Sequence, residues 1–247
     1  MPEACLNCGH AVAQKFCSNC GQAVKTRRLE TKDVLSDVLS HFFNLDGTLF
    51  RTIGGLTRNP GKVCREYVAG QRVRYVPPLR YCITILAIVL LAYALFGIDL
   101  AQPPFEQPST DKGERVKVVQ EAVGSLIKKH LNLVIFAALP FLVVFTRFLF
   151  RKADYNLPEV GVFVLYTIGH IFLMGILLVP VRALWPQAFV GLRFILHFGF
   201  FTWAALGFFG LGRLSTLFRS VAANALYFLS IVIIIVLATL PTIIAAM

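Results

Sequence analysis

Acidic residues are scarce in this chain of 247 residues: 13 Asp and Glu stand against 24 Lys and Arg, and none follows Glu159. A long C-terminal part without a carboxylate disfavours a carboxylate proton relay or a cation-coupled carrier there. Charge of either sign is also low, at 15%, where ordinary soluble domains carry roughly 25%. Hydrophobic residues make up 57%. This composition excludes a disordered chain and does not suit a simple soluble domain. No nucleotide-binding glycine loop, H-E-x-x-H or G-x-S-x-G elbow appears, and no enzyme is expected. No signal-peptide pattern opens the chain, because residues 1–30 are polar and cysteine-rich. The first apolar run is therefore expected to act as the insertion signal.

The apolar excess lies after residue 80. Crossing a ~30 Å hydrocarbon core takes about 20 mostly apolar residues. Runs without a charge predict five spans near 80–98, 131–150, 159–182, 188–210 and 221–244. The second is the weakest, being short and carrying Pro140, which neighbouring helices can accommodate. Lys and Arg in the connecting segments set orientation. Twelve precede the first span, against six acids, and basic residues also follow the second and fourth spans. This places the N-terminus in the cytoplasm and the C-terminus outside. Loop 99–130 conflicts, with Lys112, Arg115, Lys117, Lys128 and Lys129 on the outer side. The net charge of +11 is explained by topology and by anionic headgroups, so a nucleic-acid partner is not expected.

Four of the six cysteines, Cys5, Cys8, Cys17 and Cys20, form two C-x2-C-G knuckles eight residues apart. Such knuckles supply the tetrahedral four-sulfur set of structural zinc. One Zn2+ per chain is expected, closed by protein ligands and not catalytic. A rubredoxin-like iron site uses similar spacings. A disulfide pair does not suit the cytoplasm, and a redox C-x2-C would need a βαβ setting. His10 is an alternative ligand only if a cysteine drops out. Cys64 and Cys82 are isolated and read as ordinary buried thiols.

Between ribbon and membrane, Val34, Leu35, Val38, Leu39, Phe42 and Phe43 mark one apolar helical face. A second short helix is predicted from Thr48 to Arg58. A third starts at Asn59-Pro60, with Asn59 as cap, and ends at Gly70. Such helices are expected in the membrane interface, or packed against the ends of the spans. The knuckles, then F-R-T-I-G-G-L-T-R-N-P-G, then E-Y-V-A-G-Q-R-V-R-Y-V-P-P, resemble a family of bacterial zinc-ribbon membrane proteins of unknown function. The resemblance covers about residues 5–80. It implies a bacterial cytoplasmic membrane and the same domain order, and no activity. Arg51, Arg58, Arg65, Arg72, Arg74 and Arg80 cluster at the expected membrane surface. They either set topology or contact an anionic headgroup or other anionic ligand.

Within the spans, Tyr166, His170, Arg193 and His197 are the polar candidates. Tyr166 precedes His170 by four residues, and Arg193 precedes His197 by four. They can bind an anion, relay a proton or line a path, or the histidines can simply glue helices together. In the fourth span the aromatics read as packing. In loop 99–130, Val116, Val119, Val123, Leu126 and Ile127 make an apolar stripe that predicts an outer amphipathic helix near 111–129.

These readings give an all-α integral membrane protein in three parts: a zinc ribbon over 1–25, amphipathic interfacial helices over 26–79 and a transmembrane domain over 80–247. Two functions compete. The first is an interaction or assembly protein whose ribbon is a structural binding module. The second is a small transporter or lipid-handling protein using the arginine cluster and a His170/His197 intramembrane site. Expected partners are membrane lipids with anionic headgroups and a protein bound through the ribbon; a homo-oligomer is left open.

Overall fold

The structure, a computed structural model, describes residues 3–24, 28–29, 47–95 and 114–245. The expected apolar helix around Val34–Phe43 and the proline-rich start of loop 99–130 lie outside the described residues. At the N-terminus, β1 (Glu3–Ala4) pairs antiparallel with β2 (Ala11–Val12), Glu3 facing Val12 and Ala4 facing Ala11. The other elements among the described residues are helices: α1 (Gly47–Arg58), α2 (Pro60–Val68), α3 (Pro78–Leu95), α4 (Glu114–Leu149) and α5 (Leu157–Gly175). A 3-10 turn (Ile176–Leu178) then leads to α6 (Val179–Leu184), α7 (Pro186–Phe209) and α8 (Arg213–Ala245).

Local chemistry sets the breaks. Asn59 ends α1 and caps α2: its Oδ1 accepts from the Lys62 backbone N–H at 3.1 Å, with Pro60 in the first helical position. Asn156 and Glu159 form a reciprocal capping box at the start of α5. Gly210, at φ 64°, closes α7 in the left-handed conformation. Pro140 lies inside α4 without breaking it, so the stripe near 111–129 and the span near 131–150 belong to one helix.

Four stretches are long and apolar enough to cross a membrane: Pro78–Leu95, Leu157–Arg182, Gln187–Phe209 and Arg213–Pro241. A shorter apolar stretch, Leu133–Leu149, lies in α4. The chain is thus mostly helical and membrane-like. Its centre is α5, where Val160 and the run from Val162 to Ile171 are buried. Helices α3, α4 and α7 pack around it, and α8 packs on α4 and α7. Phe163 anchors this core, stacked on Phe208 at 5.2 Å and edge-on to Phe201 and Phe209. The outer faces stay apolar. Leu91 and Leu95 on α3, Ile195 on α7 and Val236 and Leu237 on α8 are exposed. A continuous apolar exterior of this kind suits lipid contact rather than water.

The short helices do not simply lie on a surface. Leu49, Thr52 and Leu56 of α1, and Val63, Cys64 and Tyr67 of α2, are buried against the bundle. Of the two placements open to them, packing against the span helices takes up their apolar faces, and Phe50 is left exposed. The α2–α7 crossing is close enough to require glycine on both sides. A Cβ on Gly61 would stand 2.4 Å from the Gly207 backbone. Arg65 donates to the Gly207 carbonyl across the same crossing. Cys64 and Cys82 are fully buried thiols, and burial pushes the Cys64 thiol well up.

Candidate functional site

The knuckles bring four sulfurs together. The Sγ atoms of Cys5, Cys8, Cys17 and Cys20 all lie within 4.8 Å of one another. Cys5–Cys20 and Cys8–Cys17 are each 3.6 Å apart. A tetrahedron with metal–sulfur bonds of ~2.3 Å has edges of about 3.8 Å, so the set fits a single ion. Each knuckle closes in the same way. The Gly9 N–H donates to the Cys5 carbonyl and the Gly21 N–H to the Cys17 carbonyl, both at 2.8 Å. Both glycines adopt φ near +70°, a conformation that favours glycine. His10 contributes backbone groups: its carbonyl accepts from Cys5 at 2.9 Å, and its N–H holds the Cys8 thiol down at about 6. Burial pushes Cys17 up to about 11. Four cysteine sulfurs are a soft donor set suited to zinc or iron and not to calcium or magnesium.

The ribbon is fastened to the helices. Gln22, two residues beyond the last ligand, is buried. Its Nε2 donates to the Gly70 carbonyl at 2.7 Å, and its Oε1 accepts from the N–H groups of Arg72 (3.2 Å) and Val73 (3.3 Å). One side chain thereby holds three backbone groups of the turn after α2. Just beyond the ribbon, Arg28 grips Glu159 through two parallel bonds, Nε to Oε1 at 2.8 Å and Nη2 to Oε2 at 3.0 Å. Asn156 donates to the Leu29 carbonyl at 3.2 Å. The chain after the ribbon is thus tied to the N-terminal cap of α5.

Of the six arginines, Arg51, Arg58, Arg65 and Arg74 are exposed, and Arg72 and Arg80 are half-buried. Arg65 is committed to Gly207. Arg74 lies over the Tyr75 ring at 5.7 Å. Beside it, Tyr75 donates to Glu66, and burial raises its hydroxyl to about 12.

The four intramembrane candidates fall into two groups with no hydrogen-bond partner in common. His170 is fully buried and stacks on Phe200. Its Nε2 lies 3.2 Å from Thr57 Oγ1 and its Nδ1 lies 2.8 Å from the Tyr81 hydroxyl. Thr57 gives its own hydrogen to the Ile53 carbonyl. It therefore accepts from His170 Nε2, and Tyr81 donates to Nδ1. Tyr166 does not bond His170; it donates to the Val76 carbonyl and packs edge-on to Tyr81 and Tyr67. His197 is half-buried, and its Nε2 lies 2.8 Å from Asn224 Oδ1. The Asn224 amide donates to the Ser220 carbonyl at 2.8 Å, which leaves Oδ1 as the acceptor and places the hydrogen on His197 Nε2. The Arg193 guanidinium lies over Gly175, where a Cβ would stand 2.8 Å from Nη1.

Gln22, Thr57, Tyr81, Glu159 and Asn224 escaped the sequence reading as site residues. Only Glu159 carried a local signal, the Asn156-x-x-Glu159 capping box.

A family described as Protein of unknown function (DUF3667) matches residues 46–90. That match covers α1, α2 and most of α3, the segment that holds Thr57 and Tyr81. No curated protein and no solved structure matches the chain.

Proposed function

We propose that the chain is a multi-pass protein of a bacterial inner membrane whose cytoplasmic zinc ribbon is a rigidly mounted interaction or assembly module, without enzymatic activity. The observation that carries this reading is the seating of Gln22 on the Gly70–Val73 turn. A loose tether needs no such anchor, whereas a module that presents a fixed surface does. Leu6 and Phe16 of this module are large apolar residues, 51% and 62% exposed on a domain too small to hide them. Four protein ligands leave no open coordination position, as in structural zinc sites.

In this reading five helices span the membrane, with Leu133–Leu149 as the fifth, the N-terminus inside and the C-terminus outside. The basic residues before α3, around 147–152 and around 213–219 support that orientation. The arginine cluster faces anionic headgroups. A photocrosslinker at Phe16 tests the reading in cells. It should give one discrete adduct, with a partner protein or a second copy, that disappears when Cys17→Ser removes the metal. No discrete adduct, or the same adduct with Cys17→Ser, overturns it. Stoichiometric iron in the purified protein would rule out zinc.

A further inference from the structure

Between α4, α5, α7 and α8 lies a cavity of about 190 Å³. Ile135, Ile171, Phe172, Phe194, Phe228 and Ile231 give it apolar walls, and Arg193 and His197 also line it. It is somewhat larger than the ~150 Å³ apolar cavity that accepts a benzene ring, so a segment of aliphatic chain fits. Phe194 is 47% exposed and its neighbour Ile195 69%, so the cavity borders the outer, lipid-facing surface of α7.

Arg193, on the wall of the cavity, has a buried donor left over. Arg193 Nη1 is buried and has no hydrogen-bond partner among the described residues. A guanidinium stays protonated at any physiological pH, and a buried donor without an acceptor is costly, most of all in hydrocarbon. The four helices around the cavity offer no carboxylate to relieve it. Helices α7 and α8 contain no acid, and the one acid of α5, Glu159, is bound to Arg28. The nearest acid in α4, Glu121, stands 14 residues before Ile135, about 21 Å along the helix. His197 does not compete for an anion, because its Nε2 hydrogen is already given to Asn224.

We propose that this cavity is a binding site for an oxyanion-headed aliphatic amphiphile, with the head on Arg193 and the chain among the apolar walls. The head is a carboxylate or a phosphate ester, either of which offers the paired oxygens that a guanidinium recognises. Gly175 is a positioning residue, since only a residue without a Cβ leaves the guanidinium its place. This inference stands apart from the reading of the ribbon.

Equilibrium binding to the full chain in phosphatidylcholine nanodiscs, with empty nanodiscs subtracted, tests it. The probes are labelled dodecanoate, dodecyl phosphate, dodecanol and inorganic phosphate. At least one of the two anionic amphiphiles should saturate at one per chain, and which of them binds more tightly identifies the head. Dodecanol should bind about tenfold more weakly or worse, the scale of one charge-assisted hydrogen bond, and inorganic phosphate should not bind. Arg193→Gln should reduce the anion to the level of dodecanol, and Gly175→Ala should weaken the anion while leaving dodecanol unchanged. Ile231→Phe, which fills the cavity, should weaken every amphiphile. Equal binding of dodecanol and the anions overturns the proposal, as does unchanged anion binding in Arg193→Gln or no saturable binding at all. If Arg193→Gln does not fold, the wild-type comparison and Gly175→Ala still decide.

Discussion

His170 and His197 sit on neighbouring helices of one apolar bundle, and their surroundings are opposites. Both ring nitrogens of His170 are answered, by Tyr81 and Thr57, and α1 packs against the same helix. Around His197 one nitrogen is answered by Asn224, while the neighbouring Arg193 keeps a buried donor with no partner among the described residues. The ribbon end of the molecule belongs with His170. It is tied together by Gln22, by Arg28 with Glu159 and by the Gly61–Gly207 crossing. A histidine at mid-helix is therefore not a site in itself; whether its neighbourhood is closed decides whether it is glue or part of a binding surface.

The largest effect should come at the closed end, from Cys17→Ser. In modules of this size, metal binding and folding are the same free energy, about 10–16 kcal/mol for structural zinc in peptides. The ribbon should lose its metal and unfold, and amide exchange at Gly70–Val73 should rise as Gln22 lets go. The α5–α7 aromatic core should keep its melting temperature. A fall there as well would mean that the two ends are not separable. Lowering the pH should release the metal in the same sense, because each sulfur must lose its proton to bind. Cys17, pushed up to about 11 by burial, binds only as the metal displaces that proton.

Next in size is Gly61→Ala. Helix propensity alone would favour alanine by about 1 kcal/mol. The new Cβ, however, would meet Gly207 backbone atoms at 2.4 Å, and backbone cannot swing aside as a side chain can. Overpacking of this kind costs about 1–3 kcal/mol, occasionally more, so the steric effect wins. Thermal unfolding in detergent should show a clear loss of stability. An unchanged melting temperature would mean that α2 does not cross α7 so closely.

Smaller still is Tyr81→Phe, which leaves His170 Nδ1 without a donor at a fully buried position. Hydrogen bonds between membrane helices average about 0.6 kcal/mol and reach about 1.7. Tyr81→Phe should fall near the upper figure, and His197→Phe, at a half-buried position, near the lower. Equal losses would erase the difference between the two ends.

The ribbon was legible because its chemistry is local. Four cysteines within sixteen positions, each pair followed by glycine, specify a fold for a metal with no help from the rest of the chain. The break at Asn59-Pro60 was legible for the same reason, and so were four long apolar helices. What joins distant segments was not. Tyr81 meets His170 across 89 positions and Thr57 meets it across 113; spacing assigns a residue to a face of its own helix, not to the helix that covers that face. Tyr166 shares a face with His170 and still bonds Val76. Likewise, an amphipathic pattern over 47–68 announces one apolar face without saying whether lipid or protein covers it. Gln22 gave no signal because its partners are backbone groups, which every sequence has.

The smallest stability effect, and the sharpest contrast with Gly61, is expected from Gly175→Ala. Gly175 has φ −59° and ψ −25°, ordinary helical values that alanine adopts freely. Its new Cβ would press on Arg193 Nη1 at 2.8 Å and on no backbone atom. The end of a long arginine can rotate away, so packing yields cheaply. The lost freedom of the unfolded glycine then favours the variant by about 0.4–1 kcal/mol. The melting temperature should hold or rise slightly, while the guanidinium moves off its seat. The same substitution would then be damaging where two backbones touch and harmless to folding where a glycine makes room for a charge. A loss of stability as large as that of Gly61→Ala would show that Arg193 is locked in place like the residues around His170, and that the two ends of the bundle are built alike.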